Sequence, residues 1–389
     1  MIKIALLASN FSGNIGDLYI LRSVTDFISE HHPQAQLDVF PYPIRFNKRV
    51  AFAEQINLSP HVNILPHRYA LLGFLDHWCR KYPMFEKFIA SSYFGFLGRF
   101  YRSKSKPLNP DDYDGIVSVG GEMHTPYSFF DIHDYTKNLA KDGKKPFAYG
   151  PISLKPDINY VPFLKKLFSG IKKIGIRDPK TQQYLVSNGF NNTQLVPDCA
   201  FLSWRGPSAN RLNRKRIGLC LHTSWAGKFD HACRIVEQAI SASKALESEL
   251  IIYPTHTYED YQLFKHLVDK YRNTPGLSFT FPNTSSEFIE LSRSLDLVIS
   301  DRLHALLVGM LHGANILPIK TRHKVIGYCE YLQLERAISL EDNDTLMFEH
   351  IMESTKDFKL SIKLEAFCHD SHKQVSEFYL AQLNMADST

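Results

Sequence analysis

The chain has 389 residues, of which 44% are apolar and 22% charged, enough for two domains and against general disorder. Lys and Arg number 45 against 40 Asp and Glu, and the net charge of +5 suits small anions or an anionic surface rather than nucleic acid. No run of about 18 uncharged apolar residues occurs, so no helix is expected to span a membrane.

The opening run Ile2 to Ala8 predicts a strand. The loop Gly13-Asn14-Ile15-Gly16-Asp17 follows, and Leu18 to Ile28 carries apolar residues at helical spacing. Such a loop sets backbone N–H groups and the positive end of a helix beside a ligand. It does not spell G-x-G-x-x-G, and no Walker lysine follows, which counts against a dinucleotide or P-loop site. Asp17 reads either as the helix cap or as a carboxylate that orients or deprotonates a sugar hydroxyl. A second strand is expected at Gln36 to Phe40. Residues 68–106 break the pattern, with eleven aromatics and eight Lys or Arg against only Asp76 and Glu86. They read as a helical insertion, either packed on the first domain with its basic residues solvated or laid on anionic lipid.

Strands are next expected at Gly115 to Val119, Pro146 to Tyr149, Lys173 to Ile176 and Gln194 to Val196, with helices at Tyr160 to Phe168 and Pro179 to Ser187. Gly120-Gly121-Glu122-Met123-His124 follows the first of these strands. Paired glycines admit a ligand close to the backbone, and His124 is a substrate contact or a structural histidine. In Arg177-Asp178-Pro179, Asp178 suits the N-cap and Pro179 the first helical position. Arg177 then points at a ligand or sits in a surface ion pair. Residues 205–214 are polar and turn-rich, the best linker.

Beyond the linker, Arg216 to Leu221, Glu249 to Tyr253, Leu277 to Phe281, Asp296 to Ile299 and Asn315 to Pro318 read as strands. His231 to Ala245, Tyr258 to Tyr271, Ser285 to Ser292 and Leu303 to Leu311 read as helices. This alternation predicts an α/β fold of two Rossmann-like domains facing each other across a cleft, with ligands beyond the carboxyl ends of the strands. The expected boundaries are 1–205, 206–350 and a helical segment 351–389 that packs back on the first domain. His222 ends the first strand of the second half, where it lines the cleft or packs at the hinge. The six cysteines form no C-x-x-C pair and read as reduced core residues of a cytosolic protein.

The sharpest feature is Ser300-Asp301-Arg302-Leu303-His304-Ala305 after an apolar strand. Asp301 suits the cap of a helix starting at Arg302, and Arg302 with the free N–H groups of that turn forms an anion site. His304 reaches the same ligand only if that ligand sits end-on at the helix tip. Otherwise Arg302 pairs with Asp301 and His304 lies in the core. Lys320-Thr321-Arg322-His323-Lys324 follows the next strand, where its cations suit a phosphate or carboxylate, or form a solvated face.

The loop Gly13 to Asp17, Gly120-Gly121 with His124, Arg177-Asp178, Pro197-Asp198 and above all Arg302-Leu303-His304-Ala305 resemble the polysaccharide pyruvyl transferases, in order and spacing from about residue 10 to 335. Glu122 stands where the family usually shows a third glycine, and the aromatic often found before the family's lysine is missing ahead of Lys324. The resemblance implies a GT-B-like fold and transfer of the pyruvyl group of phosphoenolpyruvate to a hexose, galactose-type, of a glycan or lipid-linked oligosaccharide. The product is a pyruvate ketal and the leaving group is phosphate. It also implies action in the cytoplasm, often on lipid-linked saccharides at the inner membrane face, where residues 68–106 are the contact if their basic, aromatic composition lays them on lipid.

Residues and resemblance together assign catalysis to His304 as acid and Asp17 as base or hydroxyl-orienting group. Donor binding falls to Arg302, Leu303, Lys324, Arg177, Gly13, Asn14 and Gly16. Acceptor binding falls to Gly120, Gly121, His124 and His222. No metal or cofactor is called for. Two other readings stay open: a GT-B glycosyltransferase using a nucleotide sugar, and a non-catalytic saccharide-binding protein at the membrane.

Overall fold

Runs such as Leu297-Val298-Ile299-Ser300, apolar without alternation, are what a parallel strand buried on both faces requires. In the computed structural model all four of these residues are buried. The structure describes residues 2–8, 13–41, 54, 58–65, 110–123, 146–154, 161–168, 171–206, 215–257 and 259–384. The insertion expected at 68–106, His124 and most of the linker lie outside the described residues.

The first sheet contains β1 (Lys3–Ala8), β2 (Gln36–Pro41), β3 (Val62–Ile64), β4 (Gly115–Ser118), β5 (Gly121–Met123), β6 (Phe147–Leu154), β7 (Ile174–Ile176) and β8 (Thr193–Leu195). Its order is β3-β2-β1-β4-β6-β7-β8, with β5 paired to β6. The second sheet contains β9 (Arg216–Cys220), β10 (Glu249–Ile252), β11 (Leu277–Phe279), β12 (Leu297–Ser300) and β13 (Asn315–Pro318), in the order β11-β10-β9-β12-β13. The pairings in both sheets are parallel. The helices are α1 (Ile15–His31), α2 (Val161–Phe168), α3 (Pro179–Ser187), α4 (Phe229–Ala245), α5 (Tyr261–Tyr271), α6 (Ser285–Arg293), α7 (Leu303–Leu311), α8 (His323–Leu332), α9 (Asp344–Lys356) and α10 (Phe358–Leu383).

Each sheet carries its own core. Ile116, Tyr149, Ile152, Phe168, Ile174 and Leu185 belong to the first. Ile217, Trp225, Val236, Ile252, Leu297 and Ile299 belong to the second. Five cysteines, Cys199, Cys220, Cys233, Cys329 and Cys368, are free and buried. No described helix is long and apolar enough to cross a membrane.

The chain divides into two compact units: Met1–Ser12, Ile20–Leu202 and Lys373–Thr389, and Gly13–Tyr19 with Ser203–His372. Two segments therefore fall differently from the expected boundaries. Gly13 to Tyr19 goes with the second unit because its backbone is tied there. Ile15 N donates to Thr255 O at 2.8 Å, Thr257 N donates to Gly13 O at 2.9 Å, and Asn14 bridges His256. The C-terminal segment is helical, but only Lys373 onward groups with the first unit, because the 26-residue α10 is shared between the two.

Candidate functional site

In a parallel sheet every strand delivers the chain to the same edge. In the second unit, the loops after β10, β9, β12 and β13 therefore collect at one edge. They bring together Asp260, His222, Arg302 and Lys324, residues far apart in sequence.

The helix α7 is apolar all round and buried along Leu303, Ala305 to Leu311, so core packing fixes its axis and its first turn. Arg302 is its N-cap, in extended backbone, and its own side chain does not cap the turn. This differs from the cap expected at Asp301. Asp301 is fully buried and is engaged elsewhere. It accepts from His222 N at 2.8 Å, Trp225 Nε1 at 2.9 Å and Thr321 Oγ1 at 3.1 Å. Burial pushes its pKa up, against the pull of these donors and of Arg302. Ser300 Oγ takes the Arg302 amide at 2.8 Å instead. The first-turn N–H groups of α7, Leu303's among them, take no capping bond from the Arg302 side chain, a dipole end suited to an anion.

The Arg302 guanidinium is held from one side. Its Nη2 donates to Asp260 Oδ1, and its Nε is buried with no hydrogen-bond partner among the described residues. Burial opposes the charge, but the Asp260 carboxylate outweighs it and holds the arginine pKa above its usual range.

His222 caps a short 3-10 helix, its Nδ1 accepting Ser224 N at 2.9 Å. That bond places the proton of the neutral ring on Nε2. Burial, then Arg302, Arg322, His256 and Lys324, push its pKa down to about 2. Three cations, Arg302, Arg322 and Lys324, thus act on this histidine. Arg322 is the N-cap of α8, its own side chain making no capping bond, and Lys324 lies in the first turn.

Against this turn lies the first loop. Asn14 Oδ1 accepts Gly16 N at 3.1 Å, and Asn14 Nδ2 donates to Asp17 Oδ2 at 2.9 Å. Asp17 Oδ1 stands 4.0 Å from His304 Nδ1, an ion-pair distance. A Cβ on Gly16 would fall 2.4 Å from His304 Nδ1 and 2.6 Å from its Cβ. Glycine at this position lets the imidazole lie against the loop. Arg302 and His304 both stand at the start of α7, with the first loop against His304.

The family model for polysaccharide pyruvyl transferases matches residues 14–323. The chain belongs to that family. No curated protein matches it in sequence. Among solved structures, it is similar to a UDP-GlcNAc 2-epimerase of Methanocaldococcus jannaschii in complex with UDP-GlcNAc and UDP, at 11% identity and a TM-score of 0.53, covering 95% of this chain and 99% of that one. It is also similar to S. aureus MnaA, solved with UDP, at 11% identity and a TM-score of 0.58, covering 100% of this chain and 99% of that one. TarM matches at 11% identity and a TM-score of 0.56, covering 99% of both chains. At such identities these likenesses concern the fold, which is GT-B-like with two Rossmann-like units.

Of the residues expected at the site, this transferase gathers Gly13, Asn14, Gly16, Asp17, His222, Arg302, Leu303, His304 and Lys324 in its second unit. Arg177, Gly120 and Gly121 lie in the first. Asp178 caps α3 as expected, accepting Thr181 N at 2.7 Å. Arg177, expected at the donor, is buried and engaged internally, with Nη1 on Asp198 Oδ2 at 2.6 Å and Nε on Ser153 Oγ at 2.7 Å. Gly120 is crowded by protein rather than open to a ligand: a Cβ there would lie 2.1 Å from Pro151 O.

Three residues of the gathered set escaped the sequence assignments. Arg322 sits in the basic run that was read. Asp260 and His256 follow β10. The one signal for them is position, a loop after a buried strand beside β9 and β12.

Proposed function

We propose that this transferase moves the pyruvyl group of phosphoenolpyruvate onto two hydroxyls of a hexose, galactose-type, in a glycan or lipid-linked oligosaccharide, forming a cyclic ketal and releasing phosphate. The observation that carries the reading is the tip of α7. There a helix end that the Arg302 side chain does not cap and a partly unsatisfied buried arginine lie next to a histidine backed by a carboxylate. A dianionic enol phosphate matches that set: anionic oxygens for Arg302, the Leu303 amide, Arg322 and Lys324, and a methylene carbon to be protonated.

In this reading His304 donates a proton to the methylene carbon of the donor, making C2 electrophilic. Imidazole suits the task because it carries an exchangeable proton near neutrality. Asp17, 4.0 Å from Nδ1, is the base or the group that orients the sugar hydroxyl. The first sugar hydroxyl adds to C2 and gives up its proton. The C2–O bond to phosphate breaks and phosphate leaves with the electron pair. The second hydroxyl closes the ring. One hydroxyl proton balances that delivered to carbon, and the other leaves with phosphate. His222, neutral with Nε2–H outward from its Nδ1 bond, donates to a substrate oxygen. We place the reaction in the cytoplasm, at the inner membrane face when the acceptor is lipid-linked.

The test is phosphate release from phosphoenolpyruvate across a panel of β-galactosides, glucosides and N-acetylhexosamines, with UDP-sugars as the parallel donors. A ketal product and inorganic phosphate are expected. UDP release with no phosphate would establish a nucleotide-sugar transferase instead, and glycan binding without either product a non-catalytic protein. His304→Ala is expected to lower turnover by about 10²–10⁴-fold, the usual worth of a general acid, in a protein that melts as wild type. A His304→Ala variant with full activity removes histidine from the chemistry.

A further inference from the structure

Asp260 occupies the N-cap position of α5, where an aspartate ordinarily accepts the amides of its own helix. It does not: its side chain makes no capping bond to α5. The carboxylate is 1% exposed and turns to three other segments. Oδ1 accepts Arg302 Nη2 and, at 3.0 Å, Thr223 N. Oδ2 accepts His256 N at 3.0 Å. The loops after β9, β10 and β12 thus converge on one buried carboxylate.

We infer that Asp260 is the positioning residue of the anion site, aiming Arg302 and anchoring the loop against which His304 rests. The inference rests on the donor reading above and deepens it. Two links support it. Nη2 is fixed by Asp260 while Nε is buried and unpartnered. An unmet buried donor is unfavourable, and the Asp260 contact is what holds the arginine in this pose. That pose leaves donor capacity for an anionic oxygen. The second link runs through His256. Its amide is held by Asp260, and its backbone bridges Asn14. Asn14 in turn orders Gly16 and Asp17. One carboxylate therefore fixes the guanidinium and, through the 255–257 and 13–17 segments, the seat of His304. Asp260 touches neither reacting atom.

The experiment compares wild type with Asp260→Asn, which keeps the shape and removes the charge. The dissociation constants of inorganic phosphate and of phosphoenolpyruvate are measured on the folded, monodisperse fraction, together with KM for donor and acceptor. Phosphate and donor constants are expected to rise about tenfold or more, in line with the cost of misplacing a binding group by a fraction of an ångström, while acceptor KM stays within twofold. In a cycle with Arg302→Lys the two effects should not multiply, since both act through one contact. If Asp260→Asn does not fold, Asp260→Glu, which keeps the charge but moves it one methylene outward, is expected to give the same split. A folded variant with wild-type phosphate and donor constants, or multiplying effects in the cycle, overturns the inference. A wild type that binds phosphate but does not turn over phosphoenolpyruvate defeats the donor assignment alone and leaves the phosphate comparison to decide Asp260.

Discussion

Arg177 and Arg302 occupy matching local settings in the two units. Each follows a buried parallel strand, each stands just before a helix, and each pairs with a buried aspartate. They differ in what surrounds the pair. Arg177 has a side chain 1% exposed, with Asp198 on one nitrogen and Ser153 on another. Its helix start is capped by Asp178. Arg302 leaves Nε buried and unbonded among the described residues, at a helix start that its own side chain does not cap, and it acts on His222 together with Arg322 and Lys324. A buried arginine at a strand end is thus no evidence of a ligand by itself. What distinguishes a structural pair from a binding group is the hydrogen-bonding capacity it leaves unmet.

The sharpest way to break this contrast is to truncate both. Arg177→Ala strands Asp198 as a buried unpaired charge and should cost about 3–5 kcal/mol of stability. Any folded remainder should keep its donor KM. Arg302→Ala strands Asp260 in the same way and should also lower the melting temperature, but its folded fraction should show a donor KM raised by tenfold or more. Calorimetric melting beside steady-state kinetics separates the two. A stable Arg177→Ala protein with poor donor binding would return Arg177 to the donor site.

Next in size is Gly16→Ala. The added methyl meets the Cβ and ring of His304 rather than the far end of a flexible chain, so the imidazole or the loop must shift. Overpacking of this kind costs about 1–3 kcal/mol. Turnover should fall by about tenfold while phosphate affinity changes little, since Arg302 is held by Asp260 and not by the loop backbone. Equal losses in turnover and phosphate affinity would mean that the loop itself carries the anion.

How far this site was legible in sequence follows from the range of the interactions. Local signals worked: α3 and α7 have the bounds their apolar spacing predicts, and Asp178-Pro179 opens α3 as its chemistry requires. Three-residue strands such as β3 and β5 are too short to show a period. The cap expected at Asp301 failed because a tertiary partner, Trp225, with Thr321 and the His222 amide, outcompeted the local one. Asp260 was missed for a related reason. Its partner Arg302 is 42 positions away, and its own position fell inside the helix expected from Tyr258 to Tyr271. Local pattern located the arginine, and only the strand order β10-β9-β12 supplied its carboxylate.

The smallest expected effect concerns acid. His222 belongs to the open site, and its ring is neutral because burial and the cations Arg302, Arg322 and Lys324, with His256, oppose a second proton. The unfolded chain has no such opposition and takes up that proton near pH 6.5. Below that pH the unfolded state binds more protons than the folded one, so stability falls as pH falls and is flat above it. His256, depressed chiefly by its own burial, adds in the same direction. Between pH 6.5 and 5 the His222 contribution is at most about 2 kcal/mol. His222→Gln should therefore melt with a shallower dependence on pH than wild type in this window. Phosphate, by neutralising the surrounding cations, should flatten the wild-type curve toward the variant's. Identical slopes for wild type and His222→Gln would show that the three cations do not act on this ring, and would remove the electrostatic ground for treating the Arg302 site as the open one.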